Sequence, residues 1–137
     1  IDKIWNVIEN ASVNSWSKEK LTNEIGKPTQ IIKQPTKTIF SAWIYKAKSD
    51  GLQDWGISIK QNGAVDSITY LPGEKYRHEF TIEKIMARWH NLNCIHKTKQ
   101  KLSPGLVKII TYLDCDNGHR IITYNMYKEV QSILVDY

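Results

Sequence analysis

Hydrophobic residues recur along this chain in two rhythms, one helical and one alternating, and the pair of rhythms comes round twice. Ile4, Trp5, Ile8 and Ala11 fall at helical spacing and predict a helix over Asp2–Ala11, with a break at Val13-Asn14-Ser15. Ser17 suits an N-cap. Trp16 just before it and Leu21 four residues inside form a hydrophobic staple. Leu21 and Ile25 share a face; Gly26 ends this second helix and Pro28 prevents its resumption. The period then changes to two. Ile39–Ala47 reads as a strand with Trp43 and Tyr45 on one side and Ala42 and Ile44 on the other. Lys48–Asp54 is polar, contains Gly51 and reads as a loop. Trp55–Gln61 and Ala64–Leu71 read as strands joined at Asn62-Gly63, two residues that tolerate positive φ in a hairpin turn. Pro72-Gly73 closes the unit.

The second round starts at Thr81, a plausible N-cap, with Phe80 and Ile85 as its staple. Ile82, Ile85, Met86 and Trp89 line one helical face. Leu106–Leu113, His119–Met126 and Glu129–Tyr137 follow as strands, with turn chemistry at Asp116-Asn117-Gly118. A shift of 65 residues lays Ala42–Tyr70 on Val107–Val135 without a gap. Val65-Asp66-Ser67-Ile68 then meets Val130-Gln131-Ser132-Ile133, Ile44 meets Ile109, and Ile57 meets Ile122. Five positions in the window are identical, and the apolar pattern matches further than the identities do. The expected fold class is therefore α+β: two similar units, each a helix plus an antiparallel three-stranded meander, packed as one domain. Residues 1–72 form the first unit with an extra N-terminal helix, and residues 73–137 form the second.

Length and composition agree with this plan. A unit of about 65 residues is marginal alone, whereas two sharing a core bury more of their surface. At 41% hydrophobic, with five Trp and seven Tyr, the chain is globular. No apolar run approaches the roughly 20 residues of a membrane-spanning helix. The net charge of +5 is spread evenly along the chain, with one dense basic run, His96-Lys97-Thr98-Lys99-Gln100-Lys101. That run reads first as a solvated Lys-rich loop. Beyond that it fits an acidic partner protein, or peripheral contact with an anionic membrane surface. Nucleic acid is disfavoured: there is no Gly-rich phosphate loop, no zinc-finger spacing, and only three Arg. A chain opening on Ile1 is what a removed signal peptide, or trimming, leaves behind.

Candidate chemistry is sparse. Two Cys read either as free core thiols or as a disulfide; their even number and their placement beside loops favour the bridge. They are too few for a Cys-based zinc site. Asp114-Cys115-Asp116-Asn117-Gly118 resembles the start of a calcium loop, but Asn125 stands where the bidentate Glu is needed, so a hairpin turn is expected. His78, His90, His96 and His119 fit no metalloprotease or triad spacing. No catalytic residue, metal ligand or cofactor is assigned. The aromatic set Trp43, Tyr45, Trp55, Tyr70, Tyr112, Tyr124 and Tyr127 falls on strands and turns. Core packing is the ordinary use of such residues, and an exposed sheet face is the other.

The first unit also resembles a known family. Ser17-Lys18-Glu19-Lys20-Leu21 followed by Ile25-Gly26-Lys27-Pro28-Thr29 is similar to the helix and Gly-Lys-Pro corner of the SmpA/OmlA, or BamE-like, fold. Trp43-Ile44-Tyr45 resembles that family's first long strand, and Val65-Asp66-Ser67-Ile68 its last. The resemblance implies a small bacterial envelope protein that works by binding. A tandem version resembles the β-lactamase inhibitor proteins, in which each unit carries a disulfide from the post-helix loop to a strand. Cys94 and Cys115 occupy such positions in the second unit.

These readings converge on a non-enzymatic module, periplasmic or associated with the outer membrane, that binds another protein through its sheet. The alternative is a cytoplasmic immunity protein or enzyme inhibitor that neutralises an acidic toxin or a hydrolase. The candidate anchors are Trp43, Tyr45 and Trp55, expected on the sheet face away from the helices. Lys97, Lys99 and Lys101 on the basic loop are the second choice.

Overall fold

A computed structural model describes residues 1–34, 36–46 and 53–137. Its elements are α1 (Asp2–Asn10), α2 (Lys18–Ile25), β1 (Gln30–Lys33), β2 (Ser41–Tyr45), β3 (Gln53–Ile59), β4 (Val65–Pro72), α3 (Ile82–Arg88), β5 (Cys94–Ser103), β6 (Leu106–Cys115), β7 (Gly118–Asn125) and β8 (Val130–Asp136). A 3-10 turn at Glu74–Tyr76 joins the halves. The caps act as their residue types require: Ser17 Oγ accepts from the Lys20 amide at 3.1 Å, and Thr81 Oγ1 accepts from the Lys84 amide at 3.3 Å. Most of the loop expected over Lys48–Asp54 lies outside the described residues, and Asp54 belongs to β3.

The strand order is β1-β2-β3-β4-β8-β7-β6-β5, with every neighbouring pair antiparallel. This overturns the expected α+β class. The described residues form mostly one continuous eight-stranded sheet with three α-helices of nine, eight and seven residues, not two helix-plus-three-strand units. Two physical causes explain the difference. First, β4 pairs with β8, so the meanders fuse through backbone hydrogen bonds instead of packing as separate sheets. Second, each edge carries a strand that hydrophobic alternation did not reveal. All four residues of β1 are exposed, so burial imposes no pattern on it. The His96–Lys101 segment expected as a loop lies within β5, a ten-residue edge strand. Lysine on an edge discourages unwanted pairing, and here it hides the strand behind a charge run.

The β4–β8 seam has internal symmetry. Ile68 pairs with Val135 and Tyr70 with Ile133, so a 65-residue shift maps each pair onto the other; Thr69 pairs with Leu134, its own mate under that shift. Each last strand starts at a Val bonded to the residue before a helix cap: Val65 N–H to Trp16 O at 2.8 Å, and Val130 N–H to Phe80 O at 3.0 Å. A break in register falls at Ser58/Ile59 between β3 and β4, and again at Thr123/Tyr124 between β7 and β8. Gly63 in the β3–β4 hairpin has φ +86°; its mate Lys128 holds φ +66° without glycine's freedom.

The core lies between the helices and one face of the sheet. Short helices leave gaps over so wide a sheet, and aromatic side chains fill them. Neighbouring ring centroids are 4.5 Å apart for Trp55 and Tyr70, 5.0 Å for Tyr70 and Phe80, 5.0 Å for Phe80 and Trp5, and 5.9 Å for Trp5 and Trp89. This chain of rings crosses the seam. Helix α1 fastens it from above, because Glu9 accepts from Arg88 at 2.7 Å and from Trp89 Nε1 at 2.7 Å, while Arg88 lies over the Trp5 ring at 4.3 Å.

Candidate functional site

Alternation assigns each strand residue to a face, and the helices decide which face is core. Trp43 and Tyr45 are 8% exposed and Trp55 is 3% exposed, all within the buried cluster under the helices. This corrects the expectation that they line the open face: Tyr45 and Trp55 face one another across β2 and β3 on the covered side. The Tyr45 hydroxyl donates to the Gly26 carbonyl at 2.8 Å, tying β2 to the end of α2. Tyr70 is fully buried, Tyr124 packs against the core, and Tyr127 projects from the last hairpin.

The residues on the other parity form the helix-free face. One register row runs through all eight strands: Gln30, Ile44, Gly56, Thr69, Leu134, Ile121, Tyr112 and Lys97. From Ile44 to Tyr112 every member is half-buried. The parallel row on one side contains Thr123, Ile110 and Lys99. The row on the other side passes through Ser67, Asp136, His119 and Asp114, with His119 Nδ1 at 2.9 Å from Asp114 Oδ1. Ile121, Leu134, Ile44 and Ile110 were not among the candidates read from the sequence. A signal for them existed in the adjacent apolar pairs Ile109-Ile110, Ile121-Ile122 and Ile133-Leu134, which place apolar side chains on both faces of one strand.

Charge is divided across this face. Lys97, Lys99, Lys101 and Lys108 are exposed at its β5–β6 end, and Asp114 and Asp136 lie along its far row. The three β5 lysines expected on a loop are instead held at alternate positions of a paired strand. Lys101 and Lys108 stand directly opposite, a like-charge pairing that costs stability. Lys99 Nζ lies 5.6 Å from the Tyr112 ring centre. Among the described residues Lys97, Lys99 and Lys101 have no carboxylate within ion-pair distance. Beyond the point where β4 and β8 part, a cleft of about 870 Å³ is lined by Leu71, Pro72, Leu106, Lys108 and Gln131, with the Arg77–Glu129 ion pair (3.3 Å) in its wall.

Among the described residues no group of three or more His, Cys, Asp or Glu is arranged to hold a metal ion. The Asp116-Asn117 segment is a two-residue hairpin turn. Gly118 follows it at φ +121°, where an added Cβ would collide with the Asp136 carbonyl oxygen. Cys94 and Cys115 are disulfide-bonded across β5 and β6.

Burial pushes the Tyr45 hydroxyl up to about 12 and pushes Tyr70 up as well. Both raised groups favour the folded state fully below the ordinary tyrosine value near 10, where neither state ionises. Above it the unfolded chain loses protons first, so stability falls as pH rises from about 10 to 12, by roughly 2 kcal/mol for Tyr45. Urea melts at pH 8, 10 and 12 should show this decline, and Tyr45→Phe should make it shallower while Tyr70 keeps its own share. An equally steep decline in the variant would place its cause elsewhere.

No protein-family model matches this chain, and no curated protein matches it. Among solved structures it is similar to a DUF4309 family protein, YjgB, from Bacillus subtilis subsp. subtilis str. 168. The TM-score is 0.57 at 13% identity, over 98% of this chain and 93% of that one. At that identity the likeness speaks for a common fold and for nothing about activity.

Proposed function

We propose that this protein is a non-enzymatic binding module of the bacterial envelope that docks an acidic protein on the helix-free face of its sheet. The observation that carries the reading is the row Ile44, Leu134, Ile121 and Tyr112, left without a helix and ending at Lys97. Aliphatic and aromatic area supplies affinity, and an amphipathic Tyr is a favoured anchor. Charge selects the partner: Lys97, Lys99 and Lys101, which have no carboxylate partner among the described residues, and Lys108, which stands opposite Lys101, are relieved by an acidic surface and repelled by a basic one. The cleft beside Lys108 has room for side chains of that partner. The Cys94–Cys115 bridge supports an oxidising compartment. The BamE-like corner at Ile25–Thr29 supports an envelope setting.

The test is site-directed photo-crosslinking in the producing cell, with the probe at Tyr112 or Ile121 and a control probe at Glu83 on α3. The expected result is a discrete product from the two sheet positions and none from Glu83. The captured protein, once purified, should bind less tightly in higher salt, and Tyr112→Ala should cost roughly 2 kcal/mol of binding. Equal labelling from both sides of the molecule, or unchanged affinity in Tyr112→Ala, would remove the reading.

A further inference from the structure

Strand β5 is the outer edge of the sheet for ten residues, and its pairing fixes which backbone groups face outward. The Cys94 and Cys115 Cα atoms are 3.9 Å apart, the spacing of a close pair without ladder bonds. One step earlier, the Asp116 amide donates to Asn93 O at 3.2 Å, so the ladder bonds sit at that neighbouring pair. From Cys94↔Cys115 to Ser103↔Leu106 the register runs without a shift. Strict alternation then gives Ile95, Lys97, Lys99 and Lys101 the bonds to β6. It points the N–H and C=O groups of His96, Thr98, Gln100 and Leu102 away from the sheet. In any ladder built outside β5, those four become the hydrogen-bonded positions. The three lysines fall at the non-hydrogen-bonded positions, where facing side chains approach most closely.

We propose that an extended acidic segment of the partner adds to this edge as a further strand. Its Asp or Glu residues stand at alternate positions opposite Lys97, Lys99 and Lys101. This deepens the proposed function and rests on its acidic protein partner. The occupant follows from the geometry. A second copy of this chain, adding antiparallel, would set lysine against lysine at the closest positions, which like charge disfavours. A lipid surface offers charge but no periodic donors and acceptors to meet four outward amides. The opposite edge, β1, is only four residues long and carries one lysine. Lysine on an edge strand also deters aggregation, and the two roles are compatible: neutral and basic strands are refused while acidic ones are admitted.

The experiment uses three synthetic probes on the intact disulfide-bonded chain. They are a seven-residue peptide alternating Glu and Val, the same peptide with Lys for Glu, and the Glu peptide N-methylated at alternate residues. The readout is amide hydrogen exchange by NMR. The Glu peptide should slow exchange at His96, Thr98, Gln100 and Leu102 by about tenfold or more, leaving Lys97 and Lys99 amides little changed. The Lys peptide and the N-methylated Glu peptide should not. In Lys97→Glu/Lys99→Glu/Lys101→Glu the preference should reverse, with the Lys peptide now protecting the edge. Equal binding of the N-methylated and unmodified Glu peptides would overturn the proposal, because charge alone would then suffice. So would absence of protection by the Glu peptide, or equal protection by the Lys peptide. Crosslinking from Tyr112 and Ile121 can still succeed after any of these outcomes, so failure of strand addition is separable from failure of the binding face.

Discussion

Replacing Trp55 by Ala is expected to remove about 3–5 kcal/mol of folding stability, while Tyr112→Ala removes less than about 1 kcal/mol. Trp55 is 3% exposed, its ring centre lies 4.5 Å from that of Tyr70, and Tyr45 faces it across the strand pair. Truncation therefore loses transfer free energy and also leaves a cavity beneath short helices that cannot close over it. It also breaks the chain of rings that crosses the seam at Tyr70, Phe80 and Trp5. Tyr112 has no helix above it; its loss removes a half-exposed ring and a weak contact with Lys99. Urea unfolding followed by far-ultraviolet circular dichroism compares the two without depending on tryptophan emission. A domain of this size holds roughly 5–15 kcal/mol in all, so the Trp55 variant should show a large shift in midpoint. The reverse ranking would mean that the faces are exchanged, and the binding surface would then return to Trp43, Tyr45 and Trp55.

Loss of the Cys94–Cys115 bridge is the second large effect, at about 3 kcal/mol for a loop closed over a sequence separation of 21. The closed loop is the β5–β6 hairpin itself, so the bridge limits the unfolded chain most at the sheet's free edge. Cys94→Ser/Cys115→Ser should lower the urea midpoint, and a reducing agent should lower that of the parent protein but leave the variant unmoved. Exchange at the start of β5 should quicken more than exchange in β3 or β4, because an edge strand has one neighbour to hold it. Equal midpoints for parent and variant would assign the bridge no part in stability.

The local signals in the sequence were strong where local chemistry suffices. Ser17 and Thr81 cap helices because a hydroxyl at that point meets an otherwise unpaired amide, whatever lies farther away. Gly63 turns the β3–β4 hairpin because it accepts positive φ. Six strands lie within a few residues of their alternating patterns, since period two marks any strand with one buried face. The edge strands escaped notice for the same reason in reverse. Neither β1 nor the Lys97–Lys101 part of β5 buries a face, so neither bears a hydrophobic period.

Caps, turns and the six half-buried strands were therefore legible in the sequence alone, because each rests on contacts or a burial pattern within a few residues. Which parity of the sheet is core was decided only in the tertiary structure. Alternation says that Trp43 and Tyr45 share a side with each other and Ile44 does not; it is silent on where the helices lie. The fusion of two meanders into one sheet was decided there as well, by pairing between Ser67–Tyr70 and Ile133–Asp136, segments more than sixty residues apart. The candidate binding face is a product of both decisions. Its residues were visible as apolar pairs, but only the placement of three short helices on the opposite side left them uncovered.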